Sequence, residues 1–255
     1  MALVSIVTIV KDHALGLRET FSSLIGQDHN DWEMIIVVGD SRDSTLEAAR
    51  EIESKDFRVR VIEQSGLGIY SAMNEGIQNS HGEFSWFMNA GDKFSDSHVL
   101  GVAVDEIFRS NAGLVIGGYR IAGGNDNQVF SYPQREMTAL IFAFLRRGGC
   151  HQAMIFRTQY LRQIGGFDPV YRFASDFDLV LRVISLAGAT RVPEVYATIE
   201  PGGVADQNIF SVHREKHLIR KVVFDRKLTV VALSWTWTIA ARMKITIRRL
   251  LQRMK

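Results

Sequence analysis

Over its first 120 residues this chain alternates between two periods, and nothing else in the sequence restricts its possible folds so strongly. Apolar, β-branched runs at residues 4–10, 33–38 and 59–63 are separated by stretches of helical spacing, where Leu17, Phe21, Leu24 and Ile25 mark one apolar face. Such alternation is the pattern of βαβ units, which place helices over a parallel sheet. The spacing predicts further helices over residues 44–52, 70–78 and 99–110, and strands over 83–88 and 114–119, after which the sheet reads as complete. Ser44 and Glu47 have the spacing of a capping box. Residues 123–149 show no clear period, 152–156 read as a strand and 176–187 as a helix. The expected fold is α/β, with a mostly parallel central sheet flanked by helices.

A chain of 255 residues, 46% hydrophobic and 23% charged, can bury one large core. The net charge of +2 conceals an asymmetry. From residue 214 onward there are 12 Lys or Arg against Glu215 and Asp225, a local charge of +10 that leaves the preceding residues at −8. The expected division is therefore a body over residues 1–210 and a basic tail over 211–255. Within the tail, Leu228, Val231, Trp235, Ile239, Met243, Ile247, Leu250 and Met254 fall near one helical face, with Arg242, Lys244, Arg248, Arg249 and Arg253 elsewhere. That is the composition of an interfacial helix, with packing on the body as its alternative. One basic tail on an acidic body points to an anionic membrane surface rather than to nucleic acid. No stretch reaches the roughly 18 to 20 apolar residues that span a bilayer. The single cysteine, Cys150, excludes an internal disulfide framework and fits a reducing cytoplasm. The expected location is cytoplasmic, peripheral on the inner face of the cell membrane.

Ligands of open parallel sheets bind outside the carboxyl ends of the strands. Here those ends carry Lys11 and Asp12, then Gly39 and Asp40, then residues 65–68, then Asn89, Ala90, Gly91 and Asp92. Asp40 can accept hydrogen bonds from a base or ribose, although Asp and Ser also suit turns for local reasons. The segment from Gly66 to Ser71 puts serine where a dinucleotide fingerprint needs its third glycine, and it follows the wrong strand; no P-loop motif occurs. The turn from Asn89 to Asp92 sets an amide and a carboxylate in the cleft, a sparse set that suffices for a hard cation sharing substrate phosphates. Asp176 opens a helix, where the macrodipole alone favours a carboxylate. His151 taken singly fits a structural role as well as a ligand's, and Cys150 reads as packing.

In their order and spacing these segments, spanning residues 3–205, resemble family 2 glycosyltransferases with the GT-A fold. The Tyr70-x-Ala72-Met73-Asn74-x-Gly76 and His151-Gln152 elements resemble the branch that builds bacterial surface polysaccharides and glycolipids. The resemblance implies an inverting enzyme that moves a sugar from a nucleoside diphosphate sugar to a hydroxyl of a glycan or lipid-linked saccharide. It implies donor binding by Val10, Lys11, Asp12, Gly39, Asp40, Gly68, Asn74, Asn89, Ala90 and Gly91. It also implies Mg²⁺ or Mn²⁺ on Asp92, His151 as a supplementary ligand, and Asp176 as catalytic base. Three positions depart from the family pattern: Val38 replaces an aspartate that reads the nucleobase, the metal motif keeps one carboxylate, and Ser71 replaces an aspartate after Tyr70. Two rival functions are a degenerate sugar-nucleotide-binding protein and a sugar nucleotidyltransferase. Retention of Asp92 and Asp176 argues against the first, and the lack of a glycine-rich basic loop near the first strand argues against the second.

Overall fold

The computed structural model describes residues 3–123, 128–131, 133–145 and 149–224, together with 234, 236 and 239. β1 (Val4–Val10) and β2 (Trp32–Val38) are apolar runs buried along almost their whole length, as strands covered by helices must be. α1 (Ala14–Ile25) joins them, and α2 (Thr45–Lys55) carries the chain to β3 (Val59–Glu63). α3 (Ile69–Asn79) then returns it to β4 (Phe84–Phe87) on the other side of β1. This half of the sheet is parallel, in the order β3-β2-β1-β4. Gly76 lets α3 approach β1 closely, since a Cβ there would lie 2.2 Å from Val7 Cγ1.

The second half is mixed. β5 (Lys93–Phe94) and α4 (Val99–Ser110) precede β6 (Leu114–Ile121), β7 (Val129–Phe130), β8 (Arg135–Met137), α5 (Ala139–Phe144) and β9 (Met154–Arg157). α6 (Thr158–Gln163), α7 (Ser175–Ala187), β10 (Ala189–Ile199), α8 (Val204–Gln207) and α9 (Ile209–Val223) complete the described elements. β9 inserts antiparallel between β4 and β6, and β10 runs parallel to β6 with β5 and β8 antiparallel on it. The full order is β3-β2-β1-β4-β9-β6-β10-β5.

Three sequence expectations need correction. The sheet does not end at β6: β9 and β10 extend it, and Pro193 and Glu194 hide β10 by interrupting its apolar run where its pairing with β6 shifts register. The strand expected from residue 152 starts at Met154, after a 3₁₀ turn over His151–Ala153. The capping box does not form, because Ser44 makes no side-chain cap bond and Asp43 Oδ1 instead accepts the Thr45 N–H at 3.0 Å.

Residues 211–223, assigned by sequence to the tail, form most of α9, which packs on α7 and buries Ile219 and Arg220. The interfacial face proposed for residues 228–255 lies outside the described residues, apart from 234, 236 and 239. Among the described residues no helix is long and apolar enough to cross a membrane.

Candidate active site

The ends of β1 and β2 are tied together by their own loops. Gly39 donates its N–H to Val10 O at 2.8 Å, and the side chain of Asp12, held at a φ of 51°, accepts the Arg42 N–H at 2.6 Å. Lys11 and Asp40 project from this rim into solvent. Gly68, at a φ of 92°, turns the chain into α3 beside them, a conformation that favours glycine. Asn74 is committed elsewhere: its amide accepts the Phe167 N–H and donates to Phe167 O, both at 2.8 Å, so it latches α3 to the turn at Gly165 and Gly166.

The turn after β4 is organised by buried Thr20 of α1. Its hydroxyl donates to Asp92 O at 2.7 Å and accepts the Gly91 N–H at 3.0 Å. Ala90 donates to Ile9 O at 3.3 Å, fastening the turn to β1. The Asp92 carboxylate is 5% exposed and bridges two distant segments: Oδ1 accepts the Glu200 N–H at 2.9 Å, and Oδ2 accepts from Gln152 Nε2 at 2.8 Å. Burial raises its pKa above the usual carboxylate range despite those two donors. The Glu200 side chain folds back over the turn, with Oε2 3.0 Å from His13 Nε2. A Cβ on Gly91 would meet that same oxygen at 2.3 Å.

His151 links this turn to α7. Its Nε2 lies 3.4 Å from Asn89 Nδ2 and its Nδ1 lies 3.5 Å from Asp176 Oδ2. The Asn89 amide thus faces one ring nitrogen of His151 and the Asp176 carboxylate the other. Asp176 Oδ1 accepts the Phe177 N–H at 2.8 Å and the Tyr70 hydroxyl at 3.4 Å. Burial by itself would raise the Asp176 pKa, but the hydrogen bond and charge of His151, the Lys216 ammonium and the Phe177 N–H outweigh it and lower the pKa. Asp178, two residues on, is buried and paired with Arg182 at 2.7 Å, and Arg182 also donates to Ile164 O and Gly166 O. The two carboxylates thus serve different faces of α7.

Sequence reasoning missed the supports that come from β10 and α9. The Glu215 carboxylate accepts the N–H groups of Arg172, Phe173 and Ala174 at 3.1, 2.8 and 2.9 Å, clamping the chain where it enters α7. Lys216 lines a narrow cleft with Asp176, His151 and Phe177. Cys150 donates to Gln152 Oε1 at 2.6 Å, and burial pushes its thiol pKa well above the ordinary value.

The family model described as Glycosyl transferase family 2 matches residues 5–165, which include the Asp92 turn and His151. The chain belongs to that family and is a glycosyltransferase. An uncharacterised glycosyltransferase of Mycobacterium tuberculosis is 27% identical to this transferase over 216 residues, covering 83% of this chain and 78% of the relative. A "PGL/p-HBAD biosynthesis glycosyltransferase" of Mycobacterium bovis is 28% identical over 184 residues, covering 71% and 69%. Among solved structures, S. aureus TarS 1–349 in complex with UDP superposes with a TM-score of 0.69 at 18% identity, covering 87% of this chain and 66% of TarS 1–349. The mannosyltransferase PcManGT of Pyrobaculum calidifontis, in complex with GDP-Man and Mn²⁺, gives a TM-score of 0.62 at 14% identity, covering 96% and 75%. The transferase therefore has the GT-A fold.

The donor set of the transferase suits a hard cation of the kind that leaves coordination positions to phosphate and water. Asp92 supplies a desolvated carboxylate, and Asn89 Oδ1, on the same turn, is a buried oxygen with no hydrogen-bond partner. Among the described residues no group of three or more His, Cys, Asp or Glu would cage a metal by itself.

Proposed function

We propose that this glycosyltransferase inverts the anomeric centre of a nucleoside diphosphate sugar, passing the sugar to a hydroxyl of a glycan or lipid-linked saccharide in cell-surface biosynthesis. The observation that carries the proposal is the bridge Asn89–His151–Asp176, which joins the turn suited to a diphosphate to a carboxylate suited to deprotonate an acceptor. The rim formed by Val10, Lys11, Asp12, Gly39, Asp40 and Gly68 receives the nucleoside, with exposed Asp40 offering the carboxylate that Val38 lacks. That solved structures of this fold hold UDP and GDP-Man supports a nucleotide-sugar donor. Asn89, Ala90 and Gly91 shape the diphosphate end.

Asp92, with Asn89 Oδ1, would hold Mg²⁺ or Mn²⁺, which when bound neutralises charge on the departing diphosphate. The protein's own part is positional and electrostatic. Tyr70, the Phe177 N–H and His151 fix the Asp176 carboxylate in its ionised form, so that it accepts the proton of the attacking hydroxyl. His151 acts here by orienting the base, since both of its nitrogens are turned to Asn89 and Asp176. Asp178 has no part in the chemistry because Arg182 holds it in a structural pair. Residues 228–255 attach the enzyme to an anionic membrane surface.

The test is a thermal shift panel of uridine, guanosine and thymidine diphosphate sugars, with and without Mn²⁺. A ligand at about 100 times its Kd stabilises the native state by ~2.7 kcal/mol. One donor should raise the melting temperature, more so with Mn²⁺, and turnover should release nucleoside diphosphate. Pyrophosphate release from a nucleoside triphosphate would instead establish the nucleotidyltransferase, and binding without turnover the degenerate protein.

A further inference from the structure

The 3₁₀ turn over His151–Ala153 sends neighbouring side chains to different carboxylates: His151 faces Asp176, and Gln152 faces Asp92. The main chain of the turn is held firmly. The Gln152 carbonyl accepts the indole N–H of buried Trp86 on β4 at 2.8 Å, and the Ala153 N–H closes the turn on Cys150 O at 2.9 Å. From that anchorage the Gln152 amide makes two bonds. Its Oε1 accepts the Cys150 thiol at 2.6 Å, and its Nε2 donates to Asp92 Oδ2 at 2.8 Å. Burial keeps the thiol protonated, so it donates, whereas a carboxylate oxygen accepts. The two neighbours therefore fix one orientation of the amide, with its oxygen to Cys150 and its nitrogen to Asp92.

Asp92 Oδ1 accepts the Glu200 N–H at 2.9 Å, so each oxygen of this carboxylate has one N–H donor, and the group cannot rotate without losing both. Each oxygen keeps a further acceptor direction for a cation. A lysine or arginine at position 152 would cancel the charge that draws the cation. A neutral amide orients the carboxylate and leaves that charge in place. We propose that Gln152 is a positioning residue for the metal, orienting Asp92 through its amide, with Cys150 orienting the amide in turn. The assignment deepens the reading of Asp92 as the carboxylate that holds the cation and rests on it. It divides the turn by task, since Gln152 serves the diphosphate side and His151 the base. Partners of this kind, hydrogen-bonded to a ligating carboxylate, typically change metal affinity by about 10- to 100-fold when removed.

The test is calorimetric titration of the full chain with UDP and with GDP, each with and without Mn²⁺, which measures the gain in nucleotide affinity that the metal brings. At Mn²⁺ concentrations below saturation that gain should shrink on the order of 10- to 100-fold in Gln152→Leu, and excess Mn²⁺ should restore it. Affinity without Mn²⁺ should stay at the wild-type value, which a general disturbance of the site would not allow. Cys150→Ala, which leaves the amide in place but unsupported, should lose a smaller part of the gain, and Cys150→Ser, which restores a donor, should recover it. Melting curves establish which variants fold, and the cysteine pair carries the test if Gln152→Leu does not. Asp92→Asn is the reference. If it loses the gain while Gln152→Leu and Cys150→Ala keep it, Asp92 remains the metal carboxylate and the positioning role is overturned. If affinity without Mn²⁺ falls as far as affinity with it, Gln152 acts on the site as a whole and the role is likewise overturned. If the wild type shows no gain with either nucleotide, or if Asp92→Asn keeps it, the metal reading of Asp92 falls and this role falls with it.

Discussion

Glu215→Ala probes whether α9 holds in place α7, the helix that carries the proposed base Asp176. The substitution removes the acceptor of three backbone N–H groups, those of exposed Arg172, half-buried Phe173 and fully buried Ala174. Water replaces the carboxylate at Arg172 at little cost. The other two donors are harder to satisfy, at ~1–3 kcal/mol for a buried group left unpaired and ~0.5–2 kcal/mol for a lost helix cap. The expected destabilisation is about 2–4 kcal/mol, which for a domain of this size lowers the melting temperature by about 4–16 °C. Asp176 sits at the second position of α7, so the same change should move the base. A shift of ~1 Å can cost ~10²-fold in rate, so kcat should fall on the order of 10-fold or more while donor affinity changes little. Glu215→Gln, which keeps an accepting oxygen, should recover part of both losses. The assays are scanning calorimetry, donor titration and steady-state kinetics below the variant's melting point. An alanine variant that melts and turns over like the wild type would refute the clamp.

Three further expectations are independent of that one. Asp92→Asn, or chelation of the wild type, should abolish Mn²⁺-dependent donor binding as judged by calorimetry, because the amide lacks the charge that holds the cation. Full activity in excess chelator would make Asp92 a turn residue. Gly91→Ala should lower stability by ~1–2 kcal/mol, because position 91 has a φ of 97° and the new Cβ displaces Glu200 from His13; an unchanged melting curve counts against this strain. Glu33 supplies a pH dependence. Burial alone would raise its pKa, but the Ser5 hydroxyl, His81 and Arg60 prevail and lower it. Such a group stabilises the fold above its unfolded pKa of about 4.3, and that contribution is lost as pH falls through the lower folded value. Urea midpoints should therefore fall more steeply on acidification in the wild type than in Glu33→Gln, and identical slopes would exclude the contribution.

The parallel half of the sheet was legible because each strand is a continuous apolar run with a helix after it. The mixed half was not. β5, β7 and β8 span two or three residues, too few to show a period, and β10 is broken by Pro193 and Glu194. The structure brings Asn89, Asp92, His151 and Asp176 into one neighbourhood, and all four stand at element ends where a packed core would not require polar groups. Glu200 and Glu215 carried no such signal. Each is one carboxylate among many until β10 returns Glu200 to Asp92 and α9 delivers Glu215 to the backbone before α7. Lys216 was hidden for a related reason, since its place in a strongly basic segment pointed to an anionic membrane surface rather than to the Asp176 cleft. Asn74 illustrates the opposite limit: its residue type suits a ligand site, and both of its polar ends are taken by Phe167.

The account rests on Asp176 as the base of a transfer whose donor is held elsewhere, so the most direct measurement is made on Asp176→Asn. Donor titration in the presence of Mn²⁺ and nucleoside diphosphate release in the presence of acceptor are recorded on the same preparation. The substituted amide cannot take the proton of the acceptor hydroxyl, whereas the Asp92 turn and the rim at Val10 and Gly39 are untouched. Donor affinity should stay close to that of the wild type while transfer falls on the order of 10²- to 10⁴-fold. An Asp176→Asn enzyme that transfers sugar at the wild-type rate, or one that loses the donor together with activity while remaining folded, would contradict the assignment.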